Sequence, residues 1–166
     1  MTTLQRKDGA LAMEGVPLEE VARRFGTPCY VYSRSMIEAA FREFDEGLSG
    51  VEHLVCYAVK ANSNLAVLDV LRRMGAGFDI VSGGELSRVI AAGGDPRKTL
   101  FSGVGKREDE IELALRSGIR CLNVESDAEL SILVHHASAL ASRRLVERRG
   151  RPRPTRQARA TIPTTR

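Results

Sequence analysis

Four short apolar runs recur at nearly constant intervals along the chain, and each precedes a helical pattern. The runs are His53-Leu54-Val55-Cys56-Tyr57-Ala58-Val59, Gly77-Phe78-Asp79-Ile80-Val81, Thr99-Leu100-Phe101-Ser102 and Arg120-Cys121-Leu122-Asn123-Val124. Their centres, near Tyr57, Ile80, Phe101 and Leu122, lie 23, 21 and 21 residues apart. The first helical pattern carries Leu65, Leu68, Val70 and Leu71. The others span residues 84–92, 107–116 and 127 to about 140. Gly75, Gly93 and Gly118 close the first three. Strand–helix alternation with short loops implies a parallel sheet with helices packed on it. The strands are apolar throughout, which predicts cover on both faces. The near-equal period fits a (β/α) barrel better than a doubly wound sheet. A complete barrel takes eight units and about 250 residues; this chain has 166. The expected fold is therefore α/β, the N-terminal half of a (β/α)8 TIM-type barrel.

Two segments flank the rhythm. Residues 1–33 form an N-terminal segment with a helix over residues 17–25 and a short strand at Cys29-Tyr30-Val31-Tyr32. Pro17 suits the first helical turn, and Gly26 then Pro28 stop the helix. Ser33 or Ser35 can cap the next helix, which runs to about Leu48. Residues 34–140 form the partial barrel domain. Residues 141–166 form an Arg/Pro-rich tail with no periodic apolar face. Residues 143–166 hold nine Arg and one Glu, a net of +8, so the body carries −4 of the overall +4. The basic character belongs to this tail, expected to be disordered.

Composition narrows the function classes. Aromatics make up 5% of the chain and Trp is absent, which argues against stacking platforms for single-stranded nucleic acid. Nine tail arginines would attract phosphate in a salt-dependent way, but the favoured reading is a solvated tail with no selected partner. Cys29, Cys56 and Cys121 lie far apart without CxxC spacing, and read as buried small hydrophobes in a reducing compartment. The N-terminus has no apolar signal region, and no run approaches the roughly 20 residues a membrane span needs. A soluble cytoplasmic protein with no membrane partner is expected.

In a barrel the functional groups lie at the C-terminal ends of the strands. Lys60 directly continues the first strand. There it is either a half-buried amine of lowered pKa that can form a Schiff base, or a lysine that reaches solvent. Asp79 lies inside the second strand, where it either neutralises Lys60 across adjacent strands or caps a local loop. Ser82 and Glu85 suit a capping box better than catalysis. Gly103-Val104-Gly105-Lys106 has the look of an anion-cradling loop but fits a tight turn better. His53, His135 and His136 make no metal-binding spacing.

Tyr57-Ala58-Val59-Lys60-Ala61-Asn62 resembles a motif of the pyridoxal-phosphate-dependent ornithine/diaminopimelate/arginine decarboxylase family. So do Gly77-Phe78-Asp79-Ile80-Val81-Ser82-Gly83-Gly84-Glu85-Leu86, Phe101-Ser102-Gly103-Val104-Gly105-Lys106 and Asn123-Val124-Glu125-Ser126. Gly26-Thr27-Pro28-Cys29-Tyr30-Val31-Tyr32 is similar to the segment before that family's barrel, and the likeness covers roughly residues 8–135. It implies an alanine-racemase-like barrel followed by a β-domain, a homodimer, pyridoxal 5'-phosphate as cofactor and a small amino-acid substrate. It implies Lys60 as the Schiff-base lysine and Asp79 as the family aspartate near it, both cofactor-binding. The implied reaction is decarboxylation of meso-2,6-diaminopimelate to L-lysine. The family's late glycine-rich phosphate loops, its Glu-Pro-Gly-Arg stretch, the histidine that stacks on the ring and the cysteine-bearing segment do not occur here. The chain alone is therefore expected to be inactive, with open strand edges that favour aggregation. From about Ala141 the tail stands where a fifth strand belongs, with the composition of an out-of-frame reading of G/C-rich codons.

Overall fold

The computed structural model describes residues 4–7 and 9–139. The expectations for residues 141–166 lie outside the described residues.

The chain opens with an antiparallel meander that the sequence reading did not foresee: β1 (Leu4–Lys7), β2 (Ala10–Met13) and β3 (Val16–Pro17). Met13 pairs with Val16, so Glu14 and Gly15 form a two-residue turn. Both have positive φ, 53° and 83°. That is the twist a tight hairpin needs, and glycine supplies it without strain. Helix α1 (Leu18–Phe25) follows, with Glu19 and Glu20 in its first turn and Arg23 and Arg24 in its last. Those charges complement the helix dipole. Pro17 is the cap of α1 and not part of its first turn, and α1 has no buried residue. Residues 29–32 form no strand, contrary to expectation. Their composition favours β structure, but a strand needs a partner backbone, and among the described residues none pairs with them. Tyr30 is 90% exposed as a result.

Ser33, not Ser35, caps α2 (Arg34–Gly47), its Oγ accepting from the Met36 N–H at 3.0 Å. Four strand–helix units follow. The strands are β4 (Cys56–Ala58), β5 (Gly77–Ile80), β6 (Thr99–Phe101) and β7 (Cys121–Leu122), all parallel and adjacent in chain order. The helices are α3 (Leu65–Arg73), α4 (Gly83–Ala91), α5 (Glu108–Ser117) and α6 (Asp127–Ala139). Strand order without reversal is that of a barrel and not of a doubly wound sheet.

The core lies between the sheet and its helices. Phe78, Ile80, Phe101 and Leu122 meet Leu68, Leu71, Leu86, Val89, Ile111, Ala114 and Leu133. Burying one such aromatic or aliphatic side chain contributes about 1.5–3 kcal/mol. Only this sheet face is fully covered. Alternate residues Ala58, Asp79, Leu100 and Cys121, which share a register row, are half-buried. The apolar strands had suggested two covered faces. The helices pack on one, and the other is the inner face of the curved sheet. The cysteines also differ from expectation: Cys29 is exposed, and Cys56 and Cys121 are half-buried. No helix among the described residues is long and apolar enough to cross a membrane.

Candidate functional site

The strand ends bring four polar residues to one end of the sheet. The first is Lys60. After Ala58 the chain enters a single 3-10 turn, Val59–Ala61. Val59 is fully buried and anchors that turn. Lys60, one residue on, leaves the core and is exposed. Its placement is that of a lysine that reaches solvent and not of a half-buried one. Among the described residues its Nζ has no hydrogen-bond or ion-pair partner. The loop beyond is firmly held: the Tyr57 hydroxyl donates to Asn62 O at 3.3 Å, and Asn64 caps α3 by accepting from the Ala66 N–H at 2.9 Å.

Asp79 does not form an ion pair with Lys60. It accepts instead from the Ser102 hydroxyl, Oγ to Oδ1, at 2.5 Å. Ser102 Oγ in turn accepts from Asn123 Nδ2 at 2.9 Å. Asn123 Oδ1 meets Cys121 Sγ at 3.8 Å. The three polar residues stand at the C-terminal ends of β5, β6 and β7, on the inner face. Sequence reasoning named Asp79 and missed this role for Ser102 and Asn123. The available signal was register: each is the first residue after its strand, so it projects opposite the buried Phe101 or Leu122.

Ser82 caps α4 as expected, accepting from the Glu85 N–H at 3.2 Å. Glu85 closes the loop one residue earlier than a capping box would, accepting from the Val81 N–H at 2.8 Å. Burial pushes the Glu85 carboxyl up, and the neighbouring Asp79 charge adds to this; the Val81 N–H and the Lys60 ammonium act the other way. Lys60, Asp79 and Glu85 therefore share one electrostatic neighbourhood. Unit four repeats the arrangement. Ser126 Oγ accepts from the Glu129 N–H at 3.2 Å, and Glu129 Oε2 accepts from the Glu125 N–H at 2.8 Å. Glu110 links two helix starts, its Oε1 accepting from the Gly83 N–H at 2.8 Å and its Oε2 from the Arg107 N–H at 3.1 Å.

The Gly103–Lys106 loop is a tight turn, with φ of 92° at Gly103 and 67° at Gly105. Its lysine is not available to an anion. The Lys106 side chain is 1% exposed and donates to Gly103 O and Asn123 O at 2.7 Å each, and to Glu129 Oε1 at 3.0 Å. Burial pushes the Glu129 carboxyl up, but the Glu125 N–H and the Lys106 ammonium outweigh this and hold it below its ordinary value. The histidines serve locally. His53 contacts Val51 O and Asp45, which raise its pKa, and His136 contacts Glu108. Among the described residues no group of three or more His, Cys, Asp or Glu could hold a metal ion.

Residues 34–148 match the family model of the pyridoxal-dependent decarboxylases, pyridoxal binding domain. Over 152 residues the chain is 56% identical to the diaminopimelate decarboxylase of Pseudomonas aeruginosa, covering 92% of this chain and 37% of that protein. A crystal structure from Aquifex aeolicus, AQ1208, is 45% identical with a TM-score of 0.80, covering 84% of this chain and 34% of that one. The diaminopimelate decarboxylase of M. jannaschii, solved in complex with L-lysine, is 36% identical with a TM-score of 0.79, covering 84% and 34%. The chain thus spans about a third of the length of the relatives it matches.

Proposed function

The chain belongs to the family of pyridoxal-dependent decarboxylases, by their pyridoxal-binding domain, and on that premise we propose that it anchors pyridoxal phosphate through Lys60. The observation that carries this is placement. Lys60 projects from the C-terminal strand end with an amine that has no partner among the described residues. Asp79 stands on the inner face of the adjacent strand, its Oδ1 taken by Ser102. An accessible amine and a fixed carboxylate fit the aldehyde and a cationic group of that cofactor.

When bound, pyridoxal phosphate supplies an electron sink for the pair left when a carboxylate departs as CO2. The chain's own residues prepare for this. Lys60 would hold the cofactor through its exposed Nζ. Asp79, its Oδ1 taken by Ser102, would offer its other oxygen to a positive group. Val59 and the Tyr57–Asn62 contact keep the Lys60 turn in place. The substrate we assign is meso-2,6-diaminopimelate and the product L-lysine, supported by 56% identity to the Pseudomonas aeruginosa enzyme. Resemblance alone extends this reading to a cytoplasmic homodimer.

The test is covalent trapping. The chain is mixed with pyridoxal phosphate, reduced with borohydride and digested. A pyridoxyl group on the peptide containing Lys60, lost in Lys60→Ala, is the expected result. Equal labelling of the two proteins, or none in the wild type, overturns the proposal. With meso-2,6-diaminopimelate added, this chain alone is expected to release no CO2, since it spans 37% of the Pseudomonas aeruginosa relative. Steady CO2 release would overturn that part.

A further inference from the structure

The hydrogen bonds that reach Asp79 have a fixed polarity. An ionised carboxylate only accepts and a serine hydroxyl has one proton, so Ser102 spends that proton on Asp79 Oδ1. Ser102 Oγ can then only accept from its other neighbour, and Asn123 must present its NH2 group, as it does at 2.9 Å. The reversed amide would set oxygen against oxygen. The order Asn123 to Ser102 to Asp79 is therefore imposed by the carboxylate.

The sheet ladder itself places both donors. The Ser102 N–H donates to Ile80 O at 2.8 Å, and the Asn123 N–H donates to Phe101 O at 2.9 Å. Lys106 then clamps the two loops, binding Gly103 O and Asn123 O. Groups held by ladder bonds and a buried cation lose little freedom, the condition for holding a third group in one orientation. Among the described residues nothing binds Asp79 Oδ2.

We propose that Ser102 and Asn123 are positioning residues for the cofactor site: they hold Oδ1 of Asp79 and leave Oδ2 to meet a cationic group beside Lys60. This rests on the functional reading above. Neither residue need touch the cofactor; each acts through Asp79.

The experiment uses the 166-residue chain with pyridoxal phosphate as the probe. The half-saturating concentration is read from borohydride-trapped label at Lys60. The proteins are wild type, Asp79→Ala, Ser102→Ala, Ser102→Thr and the double variant Asp79→Ala/Ser102→Ala. Loss of one charge-assisted hydrogen bond predicts a rise of about tenfold in Ser102→Ala. Ser102→Thr keeps the hydroxyl and restores binding. In the Asp79→Ala background, Ser102→Ala adds nothing, a result that a merely structural role would not produce. A second readout needs no cofactor: the Asn123 side-chain amide resonances move in Ser102→Ala and in Asp79→Ala, but stay in Ser102→Thr. No label on wild-type Lys60 overturns the functional reading and this inference with it. Labelled wild type with unchanged binding in Ser102→Ala overturns the inference alone. So do equal losses in both backgrounds, or Asn123 resonances unmoved in Asp79→Ala.

Discussion

Replacing Lys106 by methionine keeps most of the side-chain volume and removes three donated hydrogen bonds. Those bonds run to Gly103 O, Asn123 O and Glu129 Oε1 at 2.7, 2.7 and 3.0 Å. The Lys106 and Glu129 side chains are 1% and 7% exposed, so water replaces little of what is lost. Glu129 would keep the backbone N–H groups of Glu125 and of residue 106 but lose its counter-charge. Removing one partner of a buried ion pair costs about 3–5 kcal/mol, and the two carbonyls left without donors place Lys106→Met in the upper part of that range. Against a total stability of about 5–15 kcal/mol this is a large fraction. Urea unfolding followed by far-UV circular dichroism at pH 7 measures it. Lys106→Met/Glu129→Leu removes both charges and is expected to cost less than the sum of its single variants, because each single variant strands a buried charge. The pH dependence gives a second check. The folded Glu129 carboxyl lies below its ordinary value of 4.5. Its contribution is therefore fully present above that value and is lost as pH falls through the lowered one. Lys106→Met should lose the part of this acid-side contribution that the Lys106 ammonium supplies, while the Glu125 N–H keeps its own part. A Lys106→Met protein within about 1 kcal/mol of wild type would refute the reasoning, because burial without solvent relief is what sets the magnitude.

Three further outcomes are expected. Glu14 accepts from the Ser33 hydroxyl and from the Ser35 N–H at 2.8 Å, and these bonds lower its pKa from 4.5 to about 2. The tie between the meander and the start of α2 should hold above about pH 4.5 and fail as pH falls toward 2, read as faster hydrogen exchange in β2 and mimicked by Glu14→Gln at neutral pH. Gly77→Ala puts a methyl against Lys98 O and 2.6 Å from Cys56 Sγ, so a loss of at least about 1–3 kcal/mol is expected in urea unfolding. Lys60→Ala should leave stability within about 0.5 kcal/mol of wild type, because the side chain is exposed and has no partner among the described residues, while it removes the trapped pyridoxyl label.

The architecture was legible where burial writes on the sequence. Tyr57, Ile80, Phe101 and Leu122 mark the strands because the core demands apolar side chains there, and the helices between them cannot be much shorter or longer. Cys29-Tyr30-Val31-Tyr32 has the same local chemistry and misled, because pairing depends on a second backbone that local composition does not report. The meander was missed although Glu14-Gly15 is the sort of dipeptide a tight turn uses; its strands are too short to show a period. At the site, Lys60 and Asp79 stand out as charges in or beside apolar runs, and the tasks proposed for them come from resemblance and not from spacing. Lys106 read as a loop cation because its counter-charge, Glu129, lies 23 residues away. Ser102 and Asn123 gave no compositional signal, since small polar residues after a strand are ordinary.

The side-chain links at the strand ends also govern where the chain could be divided. Unit two is joined to unit three by Asp79 with Ser102 and by Gly83 with Glu110. Unit three is joined to unit four by Ser102 with Asn123 and by Lys106 with Glu129. A cut after unit two would strip the donor from Asp79 and the acceptor from the first amide of α4. A cut after unit three would leave a buried ammonium with no counter-charge. Each unit is thus completed by the next, and no boundary within residues 77–139 offers a clean place to excise a smaller self-sufficient piece.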